Sequence, residues 1–390
     1  MDFFTSITAN YMPKALVLAE SIKKYNKDAR VHLLLSDDIP KGRENELAIF
    51  DSIIGIEDLE VPVDDLQKWI FKHTVVELCT AVKGQAFLHI YDKFNAEKIV
   101  YLDPDTAVFD SLIELEKLLD EHSVVITPHQ TAPEEDLLAI IDNEICSLKH
   151  GTYNLGFLAI KMDEKGEEFA KWWRDRLVEF CYDDIPNGIF TDQKWVDLAP
   201  ALFDYVYILR EKGYNVSTWN ISHRYIEFDE NINKYTIDGK TLKFYHFSGF
   251  DSGNQKIMLE RYAKGNKNLY ALREWYIEQQ NKYDQEFYGK IPGKYDSFQN
   301  GEKITKEHRQ VYRNRQDVID YFSNPFVASE NVECYYNWFI NEYLKGEGKK
   351  EDPKAKEYEL EQEIKELKSQ LAAIKSRSLR EKIKDIFISE

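Results

Sequence analysis

The chain has 390 residues, and its 51 Lys and Arg against 69 Asp and Glu give a formal net charge of −18. This acidity argues against a nucleic-acid-binding protein, which needs clustered basic residues to follow a phosphate backbone. The four cysteines form no CxxC pair, so we expect neither a disulfide framework nor a zinc knuckle. No apolar run reaches the ~18 residues of a membrane span, and no signal-peptide pattern opens the chain. We therefore expect a cytoplasmic protein.

Strand and helix signals alternate along the first two thirds of the chain. Pro13 opens a segment whose apolar spacing predicts a helix, and residues 72–94 also have a helical pattern. Alternating signals of this kind predict an α/β fold with a largely parallel sheet. The predicted strands are FFTSIT (3–8), VHLLL (31–35), KIVYLD (98–103), VVIT (124–127), LGFLAIK (155–161) and LKFYHFSG (242–249).

The composition changes after about residue 255, where aromatic and charged residues follow one another without a clear strand. We predict a helical extension over 256–344, a charged Gly/Pro linker over 345–356 and a C-terminal helix over 357–390. In that helix an apolar 4-3-4-3 seam favours a short coiled coil and a homo-oligomer formed through 357–375. A single helix docked on the body, or a peripheral contact of the basic tail with a membrane or a partner, stays open. The seam consists of Leu360, Ile364, Leu367, Leu371 and Ile374.

The strongest chemical signal is IVYLDPDTAVF (99–109), in which Asp103 and Asp105 follow an apolar strand. In an extended chain residues i and i+2 point to the same side, so both carboxylates are expected to face one cation at the carboxyl end of the sheet. Oxygen ligands suit Mg²⁺ or Mn²⁺, which usually hold a substrate phosphate as well. The alternative is a strand-ending turn with solvated carboxylates.

Four further segments accompany this pair, namely TSITANYMPKALVLAESI, TYNLGFLAIK, TDQKW and YHFSGFD. In their order and spacing they resemble bacterial nucleotide-sugar glycosyltransferases of the GT-A fold, especially the family 8-type branch of retaining galactosyl- and glucosyltransferases. The resemblance covers about residues 3–255. It implies a GT-A catalytic domain over 1–255, a Rossmann-like, mostly parallel sheet flanked by helices.

The resemblance also implies a metal and donor site. Asp103 and Asp105 match the family's DxD motif, which holds Mn²⁺ on the donor diphosphate, and His246 in YHFSG matches its third metal ligand. A histidine in the position of His246, taken alone, is more often a structural residue at a strand end. The turn after the first strand matches the family's uridine site, where Tyr11 would stack on the base or else cap the core. That turn consists of Thr8, Ala9, Asn10 and Tyr11.

Further residues are assigned through the same resemblance. Lys83 matches a basic residue that contacts the sugar nucleotide, although a lone helical Lys is usually just solvated. The family motif HxxGxxKPW reads HFSGFDSGNQK here, so Gly249 is retained while diphosphate contact by Lys256 is in doubt. Trp219 and Asn220 either line the acceptor cleft or pack the edge of the domain.

Catalytic positions follow in the same way. Asn154 matches an asparagine near the donor sugar or acceptor, and its structural alternative is to bridge the backbone at a strand start. Asp192 and Gln193 match an acid–amide pair beside the donor sugar, and the structural alternative for Asp192 is to cap a helix. An amide cannot act as a base at pH 7, so the pair favours transfer with retention. An inverting enzyme would instead use Asp192 as its general base.

These observations predict a metal-dependent glycosyltransferase that moves a hexose from a UDP-sugar, UDP-galactose or UDP-glucose, to a glycan, glycolipid or glycoprotein. Synthesis of surface polysaccharide or glycoconjugate at the inner face of the membrane fits this activity. Two alternatives are a sugar nucleotidyltransferase, which usually has a Gly-rich N-terminal phosphate loop that is missing here, and a non-catalytic GT-A scaffold.

Overall fold

The computed structural model describes residues 1–330 and 332–346. The chain divides into two compact units, of which the first comprises 1–297 and 301–309, and the second begins with 298–300 and continues from 310. The first unit therefore extends beyond residue 255, and the predicted boundary between a catalytic domain and a helical extension stays a prediction. The predicted linker from residue 347 onward and the predicted coiled coil lie outside the described residues.

A seven-stranded sheet with the order β10-β6-β7-β4-β1-β2-β3 forms the centre of the first unit. All neighbours are parallel except β7, which is antiparallel to both β4 and β6. This mostly parallel sheet confirms the predicted α/β class. The strands are β1 Asp2–Ile7, β2 Arg30–Leu35, β3 Ser52–Gly55, β4 Lys98–Leu102, β5 Thr106–Val108, β6 Val124–Pro128, β7 Tyr153–Lys161, β8 Asp183–Asp184, β9 Ile189–Phe190, β10 Val206–Ile208, β11 Ile226–Asp229, β12 Lys234–Ile237, β13 Lys240–Thr241 and β14 Phe244–His246.

Helices flank the sheet and continue beyond it, and the segment after residue 255 is helical as predicted. No helix among residues 1–330 and 332–346 is long and apolar enough to cross a membrane. The α-helices are α1 Met12–Tyr25, α2 Leu66–Phe71, α3 Val75–Ala81, α4 Lys83–Phe94, α5 Ile113–Glu121, α6 Leu137–Ala139, α7 Cys146–His150, α8 Glu164–Phe180, α9 Ala199–Leu202, α10 Asn254–Tyr262, α11 Lys267–Lys282, α12 Gln285–Tyr288, α13 Lys306–Arg313, α14 Gln316–Tyr321 and α15 Tyr335–Trp338.

The segment 72–94, which has a helical pattern in the sequence, forms two successive helices rather than one. Thr74 starts α3 through a capping box with Glu77, in which each side chain accepts a hydrogen bond from the other residue's backbone N–H. The helix ends at Ala81, and α4 then begins at Lys83. Lys83 consequently lies in the first turn of a helix rather than in the middle of one.

The core beneath the sheet's carboxyl edge is fully apolar. In α1, Pro13 stands in the first turn, where its missing N–H costs no hydrogen bond, and the following residues Ala15, Leu16 and Leu18 are buried. They pack in one cluster with residues of β1, β2 and β4 such as Phe3, Leu33 and Val100. This packing fixes the ends of β1 and β4, which carry the predicted site residues.

Candidate active site

A cleft of about 800 Å³ opens at the edge of the main sheet where β1 and β4 end and β7 begins. Ligands of open α/β sheets collect at this edge because strand ends and the loops after them converge there. The cleft is lined by most of the predicted site residues, namely Thr8, Tyr11, Lys83, Asp103, Asp105, Asn154, Asp192, Gln193 and His246.

Asp103 and Asp105 are brought together by a tight turn between β4 and β5, in which the backbone N–H of Thr106 donates to the Asp103 carbonyl oxygen at 3.0 Å. The expected extended geometry is therefore wrong. β14 pairs antiparallel with β5, so that His246 lies opposite Thr106. His246 Nε2 is 3.0 Å from Asp105 Oδ1 and 3.7 Å from Asp103 Oδ2. One ligand atom from each of the three predicted metal residues lies within 4.8 Å of the others.

The electrostatics of this cluster are dominated by close opposite charges. Burial works against the charged form of His246, but the adjacent Asp105 carboxylate outweighs it and raises the imidazole pKa. Burial likewise works against ionised Asp105, and His246 outweighs it and lowers the carboxyl pKa. Two carboxylate oxygens and one imidazole nitrogen form a donor set that suits a divalent cation, and the nitrogen favours Mn²⁺ over Mg²⁺.

A close approach of the backbone makes room for His246. A Cβ atom on Gly156 would lie 2.4 Å from His246 Cε1, which is far inside van der Waals contact. Only glycine therefore allows β7 to run this close to the imidazole. The glycine of the segment TYNLGFLAIK thus has a direct role in placing the cluster.

Lys83 connects the cluster of Asp103, Asp105 and His246 to the acid–amide pair of Asp192 and Gln193. Its buried Nζ donates to Asp192 Oδ2 at 2.8 Å and to Asp103 Oδ1 at 3.3 Å. Asp103 Oδ1 also accepts the Tyr101 hydroxyl at 2.5 Å. Despite its burial Lys83 has a raised pKa, because the two carboxylates stabilise its charge. The interpretation of Lys83 as a solvated helical lysine is not compatible with this environment.

Asp192 follows Thr191, whose φ of +42° is unusual for a β-branched residue and indicates local backbone strain. Its second oxygen, Oδ1, accepts the Thr191 hydroxyl at 3.1 Å. Asp192 does not cap a helix, because Gln193 occupies the cap position of the following 3₁₀-helix. Burial raises the Asp192 pKa, and Lys83 only partly offsets it. The capping alternative for Asp192 is therefore wrong.

Gln193 and Asn154 form a buried amide network. Gln193 Oε1 accepts from the backbone N–H of Leu155 at 3.1 Å and from Asn154 Nδ2 at 3.3 Å. Gln193 Nε2 donates to the carbonyl oxygen of His150 at 3.1 Å. Asn154 Oδ1 accepts from Asn215 Nδ2 at 3.0 Å. These bonds orient both amides toward the cleft and leave the second hydrogen of Gln193 Nε2 for a ligand.

The N-terminal turn lies at the opposite side of the cleft. Thr8 donates to Asn10 Oδ1 at 2.7 Å, and the N–H of Ala9 donates to Asp37 Oδ2 at 3.1 Å. The Tyr11 hydroxyl donates to Asp251 at 2.8 Å. The turn is thus rigid and places the ring of Tyr11 on the cleft wall, as a base-stacking residue would require.

Two charged residues adjoin Tyr11. Lys14 Nζ lies 4.0 Å from the centroid of the Tyr11 ring and forms an ion pair with Asp251. Gly249 lies two residues before Asp251 and has a φ of +72°, a conformation that favours glycine. Lys256 is exposed, and its Nζ lies 4.0 Å from Glu260 Oε1. Lys14, rather than Lys256, is therefore the buried lysine beside the N-terminal turn.

Residues 3–169 match the family model described as Glycosyl transferase family 8. Over these residues the chain is similar to the family 8-type glycosyltransferases. The match confirms the resemblance and the enzyme class, and it covers the N-terminal turn, Lys83, the DxD pair and Asn154. It ends before Asp192, Gln193 and His246.

The glycosyltransferase is similar to two proteins of Bacillus subtilis strain 168. It is 25% identical to the uncharacterized protein YfnF over 263 residues, which are 64% of this chain and 81% of YfnF. It is 24% identical to the uncharacterized protein YfnD over 258 residues, which are 65% of this chain and 79% of YfnD.

Solved glycosyltransferase structures are also similar to the chain. The galactosyltransferase LgtC, solved with donor and acceptor sugar analogs, has 20% sequence identity and a TM-score of 0.36, over 56% of this chain and 76% of LgtC. The glycosyltransferase GlyE of Streptococcus pneumoniae TIGR4 has 18% identity and a TM-score of 0.40, over 76% of this chain and 66% of GlyE.

The structure adds His129 to the cleft, a residue that the sequence patterns did not indicate. His129 lines the cleft and lies 3.1 Å from Asn154 Nδ2, and burial lowers its pKa to about 4. Trp219 also lines the cleft, edge-on to His246 at 5.2 Å, whereas Asn220 is buried in backbone hydrogen bonds. A place on the cleft wall was one of the two roles expected for Trp219, whereas its contact with His246 was not expected.

Proposed function

We propose that the chain transfers a hexose from a UDP-sugar to a glycan, glycolipid or glycoprotein acceptor. The observation that carries the proposal is the convergence of Asp103, Asp105 and His246 on one point at the floor of the cleft. These residues would hold Mn²⁺ or Mg²⁺, which acts as a Lewis acid on the departing diphosphate. The donor sugars that best fit the family resemblance are UDP-galactose and UDP-glucose.

The residues around that point have separable tasks under this proposal. Tyr11 and the turn Thr8–Asn10 hold the base, and Gly249 allows the following loop to approach the diphosphate. Lys83 orients Asp103 and Asp192, since it donates to both. Gln193 and Asn154 orient the sugar through their fixed amides.

Retention of the anomeric configuration is part of the proposal. An inverting enzyme needs a general base with a carboxylate oxygen available to the acceptor hydroxyl. Both oxygens of Asp192 already accept hydrogen bonds, one from Lys83 and one from Thr191. This occupancy favours Asp192 as a positioning group. Anomeric proton couplings of donor and product, measured by NMR, test the assignment; an inverted product would restore Asp192 as the base.

Release of UDP from a panel of nucleotide sugars tests the activity itself. We expect hydrolysis of a UDP-hexose with Mn²⁺, loss of hydrolysis in EDTA and recovery on adding Mn²⁺ back. Undiminished activity in EDTA-treated protein would refute the metal dependence. No UDP release with any donor, in protein that is folded, would refute the enzyme's proposed donor class.

Assembly and location complete the proposal. The apolar seam in the sequence of 357–375 would join two or more copies, and the neighbouring basic residues would bring the enzyme to the inner face of a membrane, where surface glycans are built. Light scattering on the full chain and on a chain ending at residue 346 tests the first point. An unchanged mass per particle relative to the expected monomer would exclude assembly through this segment.

A further inference from the structure

A second cavity of the first unit, of about 390 Å³, has aromatic walls. Five rings line it, those of Tyr25, Phe109, Phe228, Tyr235 and Trp275, and we call it the aromatic groove. Phe109 lies 5.1 Å from Trp275 and 6.0 Å from Tyr235, and Phe228 lies 5.1 Å from Tyr235. None of the groove's residues lines the catalytic cleft.

The pairing of β11 with β12 explains why these rings are open to solvent. Ile226 pairs with Ile237 and is buried, whereas Phe228, two residues further on the same face, pairs with Tyr235. The apolar face of the hairpin therefore begins in the core and continues outward into the groove. There Phe228 is 42% exposed, a large value for a phenylalanine whose strand neighbour on that face is fully buried.

Polar groups without protein partners accompany the rings. The Tyr235 hydroxyl, the Trp275 indole N–H and the Gln279 side-chain amide line the groove, and none has a hydrogen-bond partner within residues 1–330 and 332–346. By contrast, the buried indoles of Trp69 and Trp173 donate to backbone carbonyl oxygens. The groove thus offers apolar ring faces beside unused hydrogen-bond donors and acceptors.

We propose that the aromatic groove is a second carbohydrate-binding site, which holds a saccharide chain away from the catalytic cleft. A sugar ring has an apolar C–H face that packs on aromatic rings and a rim of hydroxyls that bind amide, phenol and indole groups. A purely apolar ligand would leave the three polar groups without hydrogen-bond partners, which would cost free energy of binding. The volume of about 390 Å³ fits a short run of sugar residues. The proposal does not depend on transfer in the cleft.

Titration of the full chain with maltohexaose, cellohexaose and xylohexaose, followed by calorimetry and tryptophan fluorescence, tests the proposal. We expect at least one hexasaccharide to bind, with fluorescence change from Trp275, and Phe228→Ala to weaken that binding by about 10-fold or more. Gln279→Ala should weaken it by less, since it removes hydrogen bonds but no ring. Binding should persist in Asp105→Asn, which separates this site from the cleft.

Tyr225→Ala is the matched control. Tyr225 is 57% exposed and adjoins β11 on the face opposite Phe228, so its loss removes an exposed ring beside the same hairpin without entering the groove. Absence of binding by all three hexasaccharides, or equal weakening by Tyr225→Ala and Phe228→Ala, would overturn the proposal. Retained UDP release in Phe228→Ala together with lost hexasaccharide binding would support it independently of the proposed transferase activity.

Discussion

Two clusters of carboxylates and lysines stand at the two ends of the short strand β5. At its start, Asp103 and Asp192 both pair with Lys83, and Asp105 pairs with the imidazole of His246. Past its end, Asp110 and Glu114 are matched by Lys234 and Lys243. The first cluster has more negative charge than its own cations neutralise, and the second is balanced.

The difference in charge balance separates a ligand site from a structural one. Asp110 accepts from Lys234 at 2.6 Å, from the Thr241 hydroxyl at 2.6 Å and from Lys243 at 3.1 Å. These donors outweigh burial and lower its pKa to about 2. Such a satisfied carboxylate stabilises the fold and has little capacity left for a cation, whereas the cleft cluster retains unneutralised oxygens.

The largest expected effect comes from Asp105→Asn. It removes one charged metal ligand while keeping the shape of the side chain, so UDP release should fall by about 1000-fold. The midpoint of thermal unfolding should fall only slightly, because the change weakens a single pairing, that of Asp105 with His246. Circular dichroism and a UDP-release assay measure both quantities. A strongly lowered midpoint would mean that this cluster, like the one around Asp110, mainly stabilises the fold.

Gln193→Ala should slow turnover by about 10- to 1000-fold, a loss of roughly 1.4–4 kcal/mol in transition-state stabilisation. The amide no longer orients the sugar or holds the N–H of Leu155. Steady-state kinetics should show the loss chiefly in kcat. A change confined to KM would mean that Gln193 contributes only to donor binding.

Lys83→Met removes the lysine that contacts both Asp103 and Asp192 while keeping the length of the side chain. We expect about a 10- to 100-fold loss of kcat/KM, since two buried carboxylates lose their orienting cation. Lys243→Met is the matched control at the other end of β5, and it should lower thermal stability without a comparable kinetic loss. The reverse pattern would contradict the distinction between the clusters.

Asp110→Asn is expected to leave UDP release unchanged and to lower the free energy of unfolding by roughly 1–3 kcal/mol. Because the folded pKa of Asp110 lies below the ordinary value of 3.8, its contribution is complete above about pH 4 and disappears as pH falls toward 2. Urea unfolding of both proteins from pH 2 to pH 6 measures this. A difference that stays constant down to pH 2 would exclude the charge as its cause.

Local patterns were sufficient for the class of fold and for five of the seven strands of the main sheet. The apolar runs of β1, β2, β4 and β6 are visible in the sequence, but the reversed direction of β7 is a property of chain topology that no local pattern reports. The two- to four-residue strands β8, β9 and β11–β13 are too short to give a periodic signal. The break before Lys83 was missed because the capping box of Thr74 lies inside a helix-like apolar pattern.

The candidate site likewise contains residues that the sequence indicates and residues that only the fold brings together. Asp103 and Asp105 were found from their spacing, but the turn that joins them depends on pairing between β5 and β14. His246, Asp192 and Gln193 required the family resemblance. Lys14 with Asp251 and His129 with Asn154 meet only in the folded chain, 237 and 25 positions apart, and helical or strand periodicity cannot indicate such contacts.

The pairing of Thr106 with His246 also has a consequence for the order of folding. The two residues are 140 positions apart, and they meet in a two-stranded ladder outside the main sheet. The three-residue cluster therefore exists only after the intervening chain has folded, and the unfolded chain holds no more than the isolated DxD pair. A divalent cation that binds all three would thus act selectively on the native state, and each tenfold rise of its concentration above Kd would add about 1.4 kcal/mol to the free energy of unfolding.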